Sequence, residues 1–151
     1  MRLVALAGNP NVGKSTLFNC LTGMNQHTGN WPGKTVSLAQ GRCRFKGEEY
    51  RLVDLPGTYS LKSVSPEERV TEEFLRGGEA DCVIVVCDAT CLERSLLLAL
   101  QVLRRTRRAV VCVNLMDEAA RRGIRVDLRT LSALLGVPVA ATQNGEGAQE
   151  L

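Results

Sequence analysis

No apolar run in these 151 residues is long enough to cross a bilayer, and no signal peptide opens the chain. Whatever connection to a membrane exists, it does not lie in these residues. No C-x-x-C pair occurs among the six cysteines, Cys20, Cys43, Cys82, Cys87, Cys91 and Cys112. Three of them (Cys82, Cys87 and Cys112) sit inside apolar runs, where a free thiol behaves as a small hydrophobe. Neither a metal centre nor a redox pair is therefore expected, and a reducing cytosol suits the thiols. The charge excess is only +3, too small to imply a nucleic-acid partner by itself. There is one histidine, His27, and there are no repeats, linkers or low-complexity segments. What is present is 44% apolar and 23% charged, which predicts one soluble globular domain with a real core.

Apolar runs alternate with helical segments, as in a parallel α/β sheet. Strands are predicted at 2–7, 36–45, 50–54, 82–87, 109–113 and 137–141, with 36–45 and 50–54 joined as a hairpin by Lys46-Gly47-Glu48. Helices are predicted from Lys14 to Thr22, closed by Gly23, from Pro66 to Gly77-Gly78 behind a Ser65 cap, over 92–105, and over 128–135 behind Asp127. The Gly/Asn/Pro-rich stretch 24–34 shows no convincing periodicity. A parallel sheet needs both faces covered, and no helix follows the last predicted strand, so the chain is expected to be a piece of a longer protein.

Gly8-Asn9-Pro10-Asn11-Val12-Gly13-Lys14-Ser15 reads G-x-x-x-x-G-K-S and follows the apolar run Leu3 to Ala7. This is the P-loop pattern at its required place, the end of a strand and the start of a helix. The glycines let backbone N–H groups turn inward around a polyphosphate, and the helix N-terminus adds a favourable dipole. Lys14 supplies a point charge, and the Ser15 hydroxyl suits Mg²⁺. Average residue frequencies give the pattern by chance in roughly 1 in 200 chains of this length, so a ligand-free glycine turn is disfavoured. The expected ligand is a nucleoside triphosphate.

Two further motifs follow in order. Asp54-Leu55-Pro56-Gly57 fits D-x-x-G, whose acid can hold Mg²⁺ through water while the glycine N–H approaches a γ-phosphate. Asn114-Leu115-Met116-Asp117 fits N-x-x-D at the carboxyl edge of the sheet, where open α/β sheets bind ligands. A carboxylate there accepts from both N1–H and N2–H₂ of guanine, a donor pair that adenine lacks. That pairing would select GTP over ATP, and the order P-loop, D-x-x-G, N-x-x-D supports it strongly.

At this point the sequence resembles the translation-factor-related P-loop GTPases, and within them the ferrous iron transport protein B family. Asn25 to Val36, with the core Gly29-Asn30-Trp31-Pro32-Gly33, looks like that family's first switch, and Asp54 to Leu61 with Ser65-Pro66-Glu67-Glu68 is similar to its second. The resemblance implies a Ras-like G domain: a mostly parallel sheet with helices on both faces and the C-terminal helix missing, followed in the family by a helical domain and a membrane region. The switches would span about 25–36 and 55–65. By this resemblance Thr35 reaches Mg²⁺ only in the GTP state, and Asn11 helps seat a K⁺ that neutralises phosphate charge. Thr58 stands where Ras-like proteins carry a water-orienting glutamine, so slow hydrolysis is expected.

The residues expected to act in the reaction are Lys14, Thr35, Gly57 and Asn11. Those expected to line the nucleotide are Gly8, Asn9, Pro10, Asn11, Val12, Gly13, Lys14, Ser15, Thr16, Gly33, Lys34, Thr35, Asp54, Leu55, Pro56, Gly57, Asn114, Leu115, Asp117, Ala141 and Thr142. Mg²⁺ is expected on Ser15, Thr35 and, through water, Asp54. Leu115 replaces the lysine of N-K-x-D, which predicts modest affinity and fast release. The guanine loop reads Ala140-Ala141-Thr142-Gln143-Asn144, with the Thr142 backbone expected near O6. Expected partners are GTP or GDP, the membrane region of the same polypeptide and other copies in a homo-oligomer, at the cytoplasmic face of a bacterial membrane; no nucleic acid is expected.

Other features carry less. His27 is read as a solvated loop residue rather than a base, Trp31 as a partner anchor or as packing of the switch, and the run Arg104 to Arg108 as charge at a helix C-terminus. A soluble, RNA-associated assembly GTPase is the alternative, supported weakly by those arginines and opposed by Gly29 to Gly33. A small-molecule kinase on the same P-loop is opposed by N-x-x-D.

Overall fold

The computed structural model describes residues 1–23, 26–30, 37–62 and 64–143, with backbone alone at 26 and 30. Among them lie seven strands: β1 Arg2–Gly8, β2 Gln26–Asn30, β3 Ser37–Phe45, β4 Glu48–Asp54, β5 Cys82–Asp88, β6 Ala109–Asn114 and β7 Val139–Ala141. The helices are α1 Lys14–Thr22, α2 Pro66–Arg76, α3 Leu92–Arg105, α4 Met116–Arg121 and α5 Leu128–Leu135. They form one sheet in the order β2-β3-β4-β1-β5-β6-β7. From β4 to β7 the neighbours run parallel, while β2–β3 and β3–β4 are antiparallel. The mostly parallel α/β sheet expected from the alternation is the one observed.

The period of two along β1 explains the core. Val4 and Leu6 join Val12, Leu17, Phe18, Leu52, Ile84 and Val86 on the α1 side. Ala5 and Ala7 join Val53, Phe74, Val85, Leu98 and Val111 on the other. A strand buried on both faces has to read as a continuous apolar run, as β1, β5 and β6 do. Beside α1 the sheet face opens into a groove of about 680 Å³ that includes Cys20, Cys43 and Cys82.

Four differences from the sequence-based expectations have local causes. The stretch without periodicity holds β2, a polar edge strand paired to β3 through its backbone, with no buried face to impose alternation. The hairpin turn is only Lys46-Gly47, with φ of 50° and 80°, so Glu48 already pairs with Phe45. The last strand begins at Val139, because Pro138 has no N–H to donate. The single turn-and-a-half of α4 is too short to show a helical period.

Capping follows the sequence closely. The Ser65 hydroxyl accepts from the Glu68 N–H at 3.1 Å, and the Asp127 carboxylate accepts from the Thr130 N–H at 3.0 Å. Of the arginine run, Arg107 donates to the Leu135 carbonyl at 3.0 Å, closing α5, and Arg105 pairs with Glu72 on α2. Those two charges serve the fold.

Candidate nucleotide site

The loop after β1 is built by steric necessity. A Cβ on Gly8 would lie 2.8 Å from the Val86 carbonyl of β5, so no side chain fits there. Gly13 has φ +83°, and its Cβ would lie 2.2 Å from Asn114 Nδ2. Asn11 also adopts the left-handed conformation, with φ 66°, and is exposed. Val12 turns inward among Leu17 and Phe18, which anchors the loop to the core. A pocket of about 360 Å³ results, lined by Asn9, Pro10, Asn11, Gly13, Lys14, Ser15, Thr16 and Gly57. The side-chain amide of Asn9 is buried there and finds no hydrogen-bond partner among the described residues.

Lys14, only 8% exposed, donates to the Asp54 carboxylate and, at 2.7 Å, to the Leu55 carbonyl. The P-loop lysine and the D-x-x-G acid are thus one ion pair joining the first residue of α1 to the last of β4. Downstream, the Leu55 N–H donates to the Leu6 carbonyl at 3.0 Å and the Thr58 N–H to the Gly8 carbonyl at 3.1 Å. Gly57 is pressed against the loop: a Cβ there would lie 3.1 Å from Pro10 Cα. Thr58 is buried beneath it, its hydroxyl without a partner among the described residues. Ser15 and Thr16 are exposed at the pocket with Lys14, whose ion-pair partner is Asp54. Hydroxyl and carboxylate oxygens are the donors a hard cation such as Mg²⁺ prefers, so these residues fit that ion.

The N-x-x-D residues occupy the next carboxyl edge. Asn114, 3% exposed, donates to the Val12 carbonyl at 3.0 Å and accepts from the Thr142 hydroxyl at 2.9 Å. The Thr142 hydroxyl also lies 3.1 Å from Cys112 Sγ. Leu115 adopts φ 63°, unusual for leucine, and starts α4, its Cδ2 3.9 Å from where a Gly13 Cβ would sit. Asp117 follows in the first turn of α4, 3.7 Å from Arg121.

The Thr142 N–H donates to the Val113 carbonyl at 2.9 Å, one residue past the end of β7. The Thr142 hydroxyl orients Asn114, and Ala141 ends β7 with its backbone in the sheet. Nothing in the sequence marks that contact, which joins residues 28 apart. Gly33, Lys34, Thr35 and Trp31 lie outside the described residues, as do Asn25 and Asn144. His27 lies in β2, exposed.

The thiols stand apart from this chemistry. Burial pushes Cys87 up to about 12 and Cys112 up to about 11. Neither is a thiolate at neutral pH.

Residues 2–151 match the family described as Ferrous iron transport protein B. The Fe(2+) transporter FeoB of Escherichia coli (strain K12) is 42% identical over 154 residues, covering 98% of this chain and 20% of that protein. The chain therefore spans about a fifth of the length of such curated relatives. Among solved structures, the G domain of the T. maritima FeoB iron transporter superposes with a TM-score of 0.91 at 43% identity, covering 99% of this chain and 93% of that one. The cytosolic domain of the same transporter in its GMPPNP form gives 0.93 at 44% identity, covering 99% and 60%. The FeoB G-domain of Methanococcus jannaschii gives 0.85 at 38%, covering 99% and 93%. With the P-loop, D-x-x-G and N-x-x-D motifs gathered on one sheet edge in this fold, the chain belongs to the ferrous iron transport protein B family.

Proposed function

We propose that this domain binds Mg·GTP, hydrolyses it slowly to GDP and phosphate, and thereby regulates ferrous iron passage through the membrane part of a longer transporter. The observation that carries the reading is the Asn114–Val12 hydrogen bond, which makes the phosphate loop and the base-reading motif one buried unit. A relative whose solved forms include GDP and GMPPNP supports the same ligand class.

Lys14 brings its charge to the outer phosphates, held ready at the pocket by Asp54. The backbone of residues 10–15, with N–H groups from Asn11 onward, surrounds the phosphates at the start of α1. Gly57, packed on Pro10, is the part of the second switch that meets the γ-phosphate. Ser15, Thr35 and, through water, Asp54 would hold Mg²⁺, which when bound supplies charge neutralisation on the phosphates. Asn11, exposed on the loop in its left-handed conformation, would help seat a K⁺. Asp117 selects guanine, and Asn114 aligns that reader with the P-loop. The switches, about 25–36 and 55–65, order on GTP and relax after hydrolysis. The domain would act at the cytoplasmic face of a bacterial membrane.

The test is GTP hydrolysis in KCl against matched NaCl, with ATP in parallel. GTP-specific turnover that rises in KCl is expected. Turnover indifferent to the cation removes the K⁺ seat at Asn11, and preference for ATP removes the guanine assignment.

A further inference from the structure

One face of α3 fastens the second switch. Arg94, Gln101 and Arg105 are spaced by seven and four residues, which puts them on a single side of the helix. The Leu61 N–H donates to Gln101 Oε1 at 2.5 Å. The Gln101 carbonyl accepts from Arg105 Nη1 at 2.9 Å, and Arg105 Nε donates to the Glu72 carboxylate on α2. Glu72 is buried and also accepts from Arg76 at 3.0 Å. The Arg94 guanidinium lies 5.5 Å from the ring centre of Tyr59.

The other end of the same segment is fixed to the phosphate loop, through Gly57 against Pro10 and the Thr58 N–H on the Gly8 carbonyl. Only Tyr59 and Ser60 separate the two attachments. Gly57 and Leu61 thus belong to one short segment held at both ends.

We propose that Gln101 is a positioning residue for the hydrolytic site. By accepting the Leu61 N–H it secures the far end of the segment whose near end presses Gly57 on the phosphate loop. Arg105 ties the Gln101 backbone carbonyl to Glu72 of α2. The role rests on the GTPase reading and deepens it. Gln101 lines no part of the pocket, so its loss acts on the state that needs Gly57 in place, the triphosphate state, and leaves the diphosphate state alone.

The experiment compares the 151-residue protein with Gln101→Met, which keeps length and loses the acceptor, and Gln101→Glu, which keeps the acceptor. GDP and non-hydrolysable GTP-analogue affinities and kcat are measured for each. In Gln101→Met the analogue affinity and kcat should fall about three- to tenfold, the range of one lost hydrogen bond, with GDP affinity unchanged. Gln101→Glu should restore both. Should the Met variant not fold, Gln101→Ser is too short to reach Leu61 and carries the same expectation. Equal losses for both nucleotides, no loss for either, or no rescue by Glu would overturn the positioning role while leaving the GTPase reading intact. Absence of guanine-nucleotide binding in the wild type would overturn both.

Discussion

Asn114 donates its side-chain amide to the carbonyl of Val12, 3.0 Å away and 102 positions earlier in the chain. The same amide nitrogen occupies the space in which a side chain on Gly13 would begin. The second glycine of G-x-x-x-x-G-K-S thus serves two ends: Gly13 gives the loop its left-handed turn and leaves room for Asn114.

Replacing Asn114 by alanine leaves the buried Val12 carbonyl without this partner and the Thr142 hydroxyl without its acceptor. A destabilisation of about 1–3 kcal/mol is expected in denaturant unfolding. Binding of inorganic tripolyphosphate, which carries no base, should weaken as well. If only base-bearing ligands weaken, Asn114 touches the base and does not hold the loop.

Asp117→Asn should move preference from GTP toward xanthosine triphosphate. A carboxylate that would accept from N1–H and N2–H₂ of guanine becomes an amide that can donate to the oxygen at C2 of xanthine. Competition binding with the two triphosphates reads the ratio. An unchanged preference would take Asp117 out of the guanine site.

The Asp127 cap makes a pH-dependent contribution. Hydrogen bonds from the Thr130 N–H and hydroxyl hold its carboxyl below the ordinary value of 3.8. A carboxyl depressed in the folded state gives stability that is present above its unfolded pKa and lost as pH falls through the lower folded value. The stability gap between the wild type and Asp127→Ala should therefore be wider at pH 7 than at pH 2.5. Denaturant midpoints measured at the two pH values check this, and an equal gap at both would show that the charge plays no part.

Thiol chemistry should follow burial. Cys20 is exposed, whereas Cys87 and Cys112 are buried thiols pushed to about 12 and about 11. Brief alkylation at pH 8 followed by mass spectrometry should label Cys20 well ahead of the other two. Early labelling of Cys112 would mean that the contact with Thr142 opens readily in the folded protein.

The site was legible where chemistry is local in sequence. A phosphate loop needs glycines, a lysine and a hydroxyl within eight residues, so 8–15 could be read directly, and the D-x-x-G and N-x-x-D motifs gained force from their order. Parallel strands buried on both faces announce themselves as apolar runs, and caps such as Ser65 and Asp127 act within three residues. Edge strand β2 was hidden because backbone pairing places no demand on side chains, and α4 because six residues are too few for a period.

The sequence by itself determined the α/β alternation, the phosphate loop and the candidate for reading guanine, since each rests on residue types a few positions apart. Only the tertiary structure decided that Lys14 pairs with Asp54, that the Thr142 backbone belongs to the sheet while its hydroxyl orients Asn114, and that Gln101 takes the Leu61 N–H. The reason is physical. These contacts join groups 28 to 40 residues apart, brought together by strand order and helix packing, and no local spacing encodes which distant donor finds which acceptor.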